Sequence, residues 1–294
     1  WGVTAAAARH VCLRKVDPDR IWQALRTEGV THFSAAPTVL TMLGNSRLAE
    51  GGLDHTVEVT TGGAPPSPAL LARMADLGVH MTHLYGLTET YGPVVISEWH
   101  REWDALEAAA QAQLKARQGV ANVVGSPVRV LDQDAADVPA DGVSLGEIVL
   151  RGNNVMLGYY RDPDATAEAT ADGYFRTGDL GVVHPDGYVE LTDRSKDVII
   201  SGGENIASIE VERAVETHPA VLEAAVVGRP DEKWGEVPVA YVTLHAGADA
   251  DDAEIIAHVR SKIAHFKAPK QVIFGELPKT STGKIQKHEL RARR

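Results

Sequence analysis

Five short stretches place groups capable of chemistry where a chain usually turns. Residues 85–90 read Tyr-Gly-Leu-Thr-Glu-Thr, an aromatic ring followed by a glycine, a hydroxyl and a carboxylate. Residues 60–68 read TTGGAPPSP, and residues 174–181, YFRTGDLG, hold Asp179 behind a glycine. Residues 192–212, TDRSKDVIISGGENIASIEVE, set Arg194 and Lys196 ahead of a strand and Gly202 and Gly203 in a loop. Residues 277–287, LPKTSTGKIQK, present Lys284 on a hydroxyl-rich turn. A tyrosine ring can stack on a base, Thr88 can donate to a phosphate oxygen, and Glu89 can hold a Mg²⁺ that bridges phosphates. Glycines let a planar base approach the backbone closely, and Asp179 in a tight turn can accept from a ribose diol. Each stretch has a plainer reading too. Thr88 and Glu89 also suit a helix cap and first turn, TTGGAPPSP is a Gly/Pro turn, and Arg194 and Lys196 are ordinary surface charges.

The Ser-Thr-Gly-Lys core at 281–284 looks like the end of a phosphate-cradling P-loop, but that reading fails. Such a loop needs Gly-x-x-x-x-Gly-Lys followed by Ser or Thr, between a strand and a helix. Pro278 stands where the first glycine belongs and has no N–H, and Ile285 has no hydroxyl for a metal.

The elements that must position these groups alternate. Asp17 and Pro18 open a helix over 17–28, and strands follow at 30–37, 57–63 and 79–86, with helical segments at 38–46 and 67–78 between them. That order predicts α/β units with a largely parallel sheet, whose ligands bind beyond the carboxyl ends of the strands. A surface helix is expected over 104–118, with Asp104 and Glu107 in capping-box spacing. From about 120 to 192, short strands separated by Gly, Pro and Asp predict a small antiparallel β-barrel or sheet. From Asp193 onward, strands and two helices predict a compact α+β unit of about a hundred residues.

The bulk composition narrows the classes. The chain has 294 residues, enough for about two domains. Its net charge of −11 argues against a general nucleic-acid or anionic-membrane surface. One cysteine, Cys12, rules out an internal disulfide and points to a reducing compartment, the cytoplasm. Cys12 in HVCLRKV is expected as a buried strand residue rather than a nucleophile. No apolar run approaches the ~20 residues of a membrane helix, so no integral membrane association is expected. The two histidines of HMTH, His80 and His83, sit three apart in a strand, on opposite faces, and are not expected to share a metal. Oligomeric state leaves no signal. The chain opens on Trp1 with a helix-then-strand pattern and no initiator methionine, and it is expected to be the C-terminal portion of a longer protein.

Taken together and in this order, the motifs resemble the adenylate-forming family of acyl-CoA synthetases, peptide-synthetase adenylation domains and luciferases. The wording YGLTETYGP, RSKDVIISGGENI, PDEKWGE and LPKTSTGKIQK is most similar to acyl-CoA synthetases for short- and medium-chain or aromatic acids, with Ala207 where that wording has serine. The resemblance implies ATP, Mg²⁺, coenzyme A and a small carboxylic acid, with no prosthetic group. A carboxylate would attack the α-phosphorus of ATP, and coenzyme A would then displace AMP to give a thioester. It implies residues 1–192 as the C-terminal part of a large AMP-binding domain (α/β part about 1–118, barrel part about 120–192). Residues 193–294 would be a mobile lid that swings between the two steps.

By position, the resemblance assigns Gly63, Ala64 and Pro65 to the loop lining the adenine, Tyr85 with Gly86 to the ring stacked on it, and Thr88 to the α-phosphate. Glu89 becomes the Mg²⁺ ligand, Asp179 and Arg194 the ribose pair, and Lys196 the hinge. Gly202 and Gly203 would face the pantetheine channel, and Lys284 would bridge the carboxylate and the α-phosphate. Trp1, Ala35, Tyr91 and Gly92 would border the acyl pocket. The family's Ser/Thr/Gly-rich phosphate loop would lie upstream of Trp1, so activity of these residues alone is not expected. Two other readings compete: an adenylation domain that loads a carrier protein, and a non-catalytic nucleotide-binding fragment in which Lys284 and Glu89 are surface charges.

Overall fold

The computed structural model describes residues 2–123, 125–280 and 283–293. The chain divides into two compact units, residues 1–84 with 97–116, and residues 85–96 with 117–294.

The first unit runs α1 (Gly2–Ala5), α2 (Pro18–Thr27), β1 (His32–Ser34), α3 (Pro37–Gly44), β2 (Val57–Thr61), α4 (Pro68–Asp76), the start of β3 (Val79–Leu87) and α5 (Ala108–Lys115). Asp17 caps α2 by accepting from the Arg20 N–H at 3.2 Å, and Pro18 supplies the preset first turn. β1, β2 and β3 pair in parallel, with Phe33 opposite Val59 and Val59 opposite Met81. Strict alternation turns Val57, Val59 and Thr61 inward and leaves Glu58 exposed. The inward row packs with Leu71 and Met74 of α4 and with Trp22, whose indole N–H donates to the Leu43 carbonyl at 2.9 Å. His80 is exposed and His83 buried, on opposite faces of β3 as its period requires.

Three local expectations fail in this unit. The opening helix is a single turn, and Cys12 lies exposed in irregular chain, where no described strand pairs with it to complete a ladder. The helix expected over 104–118 is α5 alone, preceded by a 3₁₀ turn over Arg101–Ala105. Leu106 is extended between them, Glu107 caps without a side-chain bond, and Asp104 accepts from the Trp99 indole at 2.7 Å instead. Edge-on packing of Trp99 and Trp103, 5.2 Å between ring centroids, outweighs the capping box.

The second unit continues with β4 (Gly92–Ile96), β5 (Val120–Ala121), β6 (Arg129–Leu131), β7 (Gly146–Leu150), α6 (Pro163–Ala169), β8 (Phe175–Val183) and β9 (Val189–Arg194). β6, β7, β8 and β9 form an antiparallel sheet in linear order. Of the barrel or sheet expected here the structure shows an open sheet, since four strands, the first of three residues, are too few to curl closed. Its inner face buries Val130, Ile148, Leu150, Val189 and Leu191 with Tyr85, Val94 and Val95.

The unit ends with β10 (Ile199–Ser201), β11 (Glu204–Ile206), α7 (Ser208–Glu216), β12 (Val221–Asp231), β13 (Gly235–Leu244), α8 (Asp252–Arg260), β14 (Gln271–Phe274) and α9 (Lys287–Ala292). β12 and β13 form a long antiparallel ribbon, with β14 parallel to β13. α7 and α8 cover one face around Ile255 and Val259, and Leu277 and Leu290 pack on the other. A buried polar chain ties α9 to the start of this region. Lys287 Nζ donates to Ser208 Oγ at 2.7 Å and pairs with Glu212 at 2.7 Å, Ser208 Oγ donates to Asp193 at 3.0 Å, and Arg291 pairs with Asp197. Among the described residues no helix is long and apolar enough to cross a membrane.

Candidate active site

Three of the predicted residues, separated by up to 109 positions in the chain, meet at the ends of β3, β8 and β9. Asp179 and Arg194 are opposite one another in the β8–β9 ladder, which fixes their side chains on one face. The Tyr85 hydroxyl donates to Asp179 Oδ2 at 2.7 Å. Arg194 Nε lies 3.0 Å from Oδ1, yet its N–H is not aimed at that oxygen, and Oδ1 is buried without a hydrogen-bond donor. We read this as a charge contact that leaves one acceptor open. A buried acceptor of this kind costs free energy until something donates to it. A ribose hydroxyl fits that need, so the residues present suit a nucleotide.

The electrostatics follow from burial. Asp179 is 2% exposed, and burial pushes its carboxyl up, against the opposing charges of Arg194 and Lys284 and the Tyr85 hydrogen bond. Burial, then the neighbouring Asp179, pushes the Tyr85 phenol well above its ordinary value, so it remains a donor.

Lys284 follows a turn that folds back on itself. Thr280 N donates to the Lys284 carbonyl at 2.9 Å, Lys284 N to Thr280 Oγ1 at 3.1 Å, and Gly283 N to the Thr280 carbonyl at 2.9 Å. Ser281 and Thr282 lie outside the described residues. Lys279 anchors the turn's base to Glu223 at 2.7 Å. Lys284 is exposed over part of its surface, and partial desolvation and the charge of Arg194 hold its ammonium below the usual lysine range, with Asp179 partly offsetting them. An amine on this turn thus stands within electrostatic reach of the Asp179–Arg194 pair.

Thr88 and Glu89 sit in a 3₁₀ turn, Thr88–Thr90, at the end of β3. The turn is locked by buried Thr90, whose hydroxyl accepts from Leu87 N at 2.9 Å and lies 2.8 Å from the Gly92 carbonyl. Thr88 is exposed and Glu89 half-buried. Glu89 Oε1 accepts from the Tyr159 hydroxyl at 3.1 Å. No cluster of three or more metal-ligating side chains occurs among the described residues. Mg²⁺ in nucleotide sites is held by one or two carboxylates plus phosphates, so a single Glu89 suffices.

The other predicted positions are as follows. Gly86 has no room for a side chain, since a Cβ would lie 2.1 Å from the Gly92 carbonyl oxygen, and its need for glycine is met by the backbone of β4. Tyr91 takes a left-handed backbone at φ 55° and is 93% exposed, and Gly92 follows at φ 129°. Lys196 is exposed in the turn after β9, where Ser195 N and Oγ both donate to the Gly178 carbonyl. Gly202 and Gly203 form the two-residue turn of the β10–β11 hairpin, with φ of 61° and 87°. In the first unit, Gly63, Ala64 and Pro65 lie in the loop between β2 and α4, Gly63 at φ 88°, while Ala35 directly follows β1 with its N–H on the Thr60 carbonyl. Trp1 lies outside the described residues.

Sequence reasoning missed the loop between β7 and α6. Asn154 Nδ2 donates to the Thr90 carbonyl at 2.9 Å and Met156 N to the Glu89 carbonyl at 2.7 Å, beside the Tyr159 contact. Its signal, a Tyr-Tyr pair behind a glycine in a polar loop, was legible at 158–160.

The chain matches the sequence profile of the AMP-binding enzyme family over residues 1–160 and that of the AMP-binding enzyme C-terminal domain over residues 210–284. The chain belongs to this family. It is 50% identical to the acetate–CoA ligase CCL3 of Humulus lupulus over 100% of the chain and 53% of that relative. It is 52% identical to the 2-methylpropanoate–CoA ligase CCL4 of the same plant over 99% of the chain and 53% of the relative. The fold matches the ATP-bound crystal structure of MatB from Rhodopseudomonas palustris with a TM-score of 0.84 at 30% identity, covering 99% of this chain and 56% of that one. The chain spans about half the length of the curated relatives it matches.

Proposed function

We propose that the full-length protein is an AMP-forming acid–thiol ligase that converts a small carboxylic acid, ATP and coenzyme A into an acyl-CoA, AMP and diphosphate. The observation that carries this reading is the buried Asp179 with one open acceptor, flanked by Tyr85 and Arg194 and within electrostatic reach of Lys284. Asp179 and Arg194 take the ribose, Tyr85 takes the adenine, and Thr88 donates to the α-phosphate. Glu89 would hold Mg²⁺, which neutralises phosphate charge when bound. Lys284 stabilises the charge that develops as the carboxylate oxygen attacks the α-phosphorus and diphosphate leaves. Residues 193–294 act as a lid turning at Lys196, withdrawing Lys284 before the thiol attacks the acyl carbon and AMP leaves. Tyr91 and Gly92 line the acyl side, and the relatives' names favour a short acid. The single cysteine favours a cytoplasmic setting.

The test is acid-dependent exchange of labelled diphosphate into ATP by the full-length protein, over a panel of carboxylic acids from acetate to benzoate. Exchange with short acids is expected. Exchange that needs no acid, or none with any acid, would refute the reading.

Gly203 gives a separate check on the second step. Its left-handed backbone admits asparagine more readily than leucine, and nothing lies within 4 Å of a Cβ built there. We expect Gly203→Asn to fold normally, retain exchange, and lose roughly tenfold in acyl transfer to coenzyme A, a loss of about 1.4 kcal/mol of binding. Parallel losses in exchange and transfer would mean that the hairpin serves folding alone.

A further inference from the structure

Glu89 does not stand alone. One loop, between β7 and α6, meets the Thr88–Thr90 turn at three points, through Asn154, Met156 and Tyr159. Two of those contacts hold the backbone of the turn. The third holds the carboxylate itself, because the Tyr159 hydroxyl donates to Glu89 Oε1 at 3.1 Å.

Tyr159 is held from behind. Its backbone N–H donates to Thr166 Oγ1 at 2.9 Å, and that hydroxyl donates in turn to the Asp162 carbonyl at 2.7 Å. Asp162 caps α6 by accepting from Ala165 N at 3.0 Å. Gly158 lets the chain pass Thr166 closely, since a Cβ there would lie 2.7 Å from Thr166 Cγ2, and its φ of 154° disfavours other residues. The phenol is therefore delivered from a braced position, while its neighbour Tyr160 is 85% exposed.

We infer that Tyr159 is a positioning residue that engages Glu89 Oε1, so that the carboxylate offers Oε2 preferentially to the cation accompanying ATP. The inference rests on the proposed role of Glu89 as metal ligand. A carboxylate oxygen that already accepts a hydrogen bond is the poorer metal donor, which favours binding through the other. That suits Mg²⁺, which is small, demands near-octahedral geometry and takes few carboxylate oxygens. Ca²⁺ is larger and accepts both oxygens of a carboxylate, so a carboxylate freed of the phenol favours it relatively more. Partners behind a metal ligand commonly alter metal affinity 10–100-fold.

The experiment is calorimetric binding of a non-hydrolysable ATP analogue to the full-length protein, titrated with Mg²⁺, with Ca²⁺, and with chelator alone. It compares the wild type, Tyr159→Phe, Tyr160→Phe and Glu89→Gln. Tyr159→Phe is expected to weaken the Mg²⁺-dependent part of binding about tenfold, to narrow the Mg²⁺-over-Ca²⁺ preference, and to leave binding in chelator and the melting temperature unchanged. Tyr160→Phe should match the wild type, and Glu89→Gln should remove the metal dependence. If Glu89→Gln removes it and Tyr159→Phe does not differ from the wild type, the inference about Tyr159 is wrong and the metal-ligand reading stands. If Glu89→Gln keeps the metal dependence, both fall. Equal weakening of Tyr159→Phe with and without metal would assign Tyr159 a purely structural part and also overturn the inference.

Discussion

Lys284→Ala in the full-length protein slows acyl-adenylate formation by ~10²–10³-fold and leaves acyl transfer from preformed acyl-adenylate to coenzyme A near the wild-type rate. The amine acts on charge that develops at the α-phosphate, and that charge is absent from the thiol step. Lys284→Arg should recover little, because a planar fork does not replace a compact ammonium on a turn of fixed reach. The pH profile adds a sign. Partial desolvation and Arg194 hold the free protein's Lys284 below the usual lysine range. The charged form is therefore lost at lower pH than for an ordinary lysine, and kcat/KM for adenylation falls early on the alkaline side. Bound phosphates favour the ammonium, so the fall in kcat at saturating ATP moves to higher pH. Lys284→Ala should lack this alkaline limb. Equal losses in the two half-reactions, or an unchanged limb, would remove Lys284 from the first step.

The second large effect is at Asp179. Asp179→Ala should weaken ATP binding by about 10–10²-fold, since a hydrogen bond to a charged group contributes about 1.5–3 kcal/mol and Asp179 has one acceptor open to the ribose. The same change leaves the Tyr85 phenol without its acceptor, which should cost about 1–3 kcal/mol of stability. The two losses separate in the double variant. Tyr85→Phe with Asp179→Ala removes the orphaned phenol and should restore much of the stability, while ATP binding stays lost. Binding that recovers along with stability would reduce Asp179 to a structural acid.

Local signals carried the fold far. Asp17 and Pro18 announced α2, alternation announced β2, and the offset of His80 and His83 put them on opposite faces. What failed was whatever depended on distant partners. A strand-like run around Cys12 forms no strand without a neighbour, and the Asp104 capping box yields to two tryptophans that pack on each other. Strand composition after residue 120 could predict antiparallel pairing but not whether the sheet closes. The candidate site divides in the same way. Asp179 and Arg194 were legible as types, but their ladder pairing and the Tyr85 bond bridge 15 and 94 positions that no local pattern spans. Nothing local marked Gly86 as a packing glycine, although the β4 backbone at Gly92 leaves no room for a Cβ there. Tyr159 was legible as a residue type behind a glycine, but its contact with Glu89, 70 residues earlier in the chain, was not.

The central claim is that the acid's own oxygen attacks the α-phosphorus of ATP at the Asp179–Arg194–Lys284 site. The most direct measurement supplies a carboxylic acid labelled with oxygen-18 in both carboxylate oxygens, with ATP and coenzyme A, to the full-length protein and weighs the products. Attack at the α-phosphorus followed by thiol displacement leaves one heavy oxygen in the thioester and one in AMP, with none in diphosphate. Heavy oxygen in inorganic phosphate, with ADP as the nucleotide product, would mean attack at the γ-phosphorus and would contradict the account.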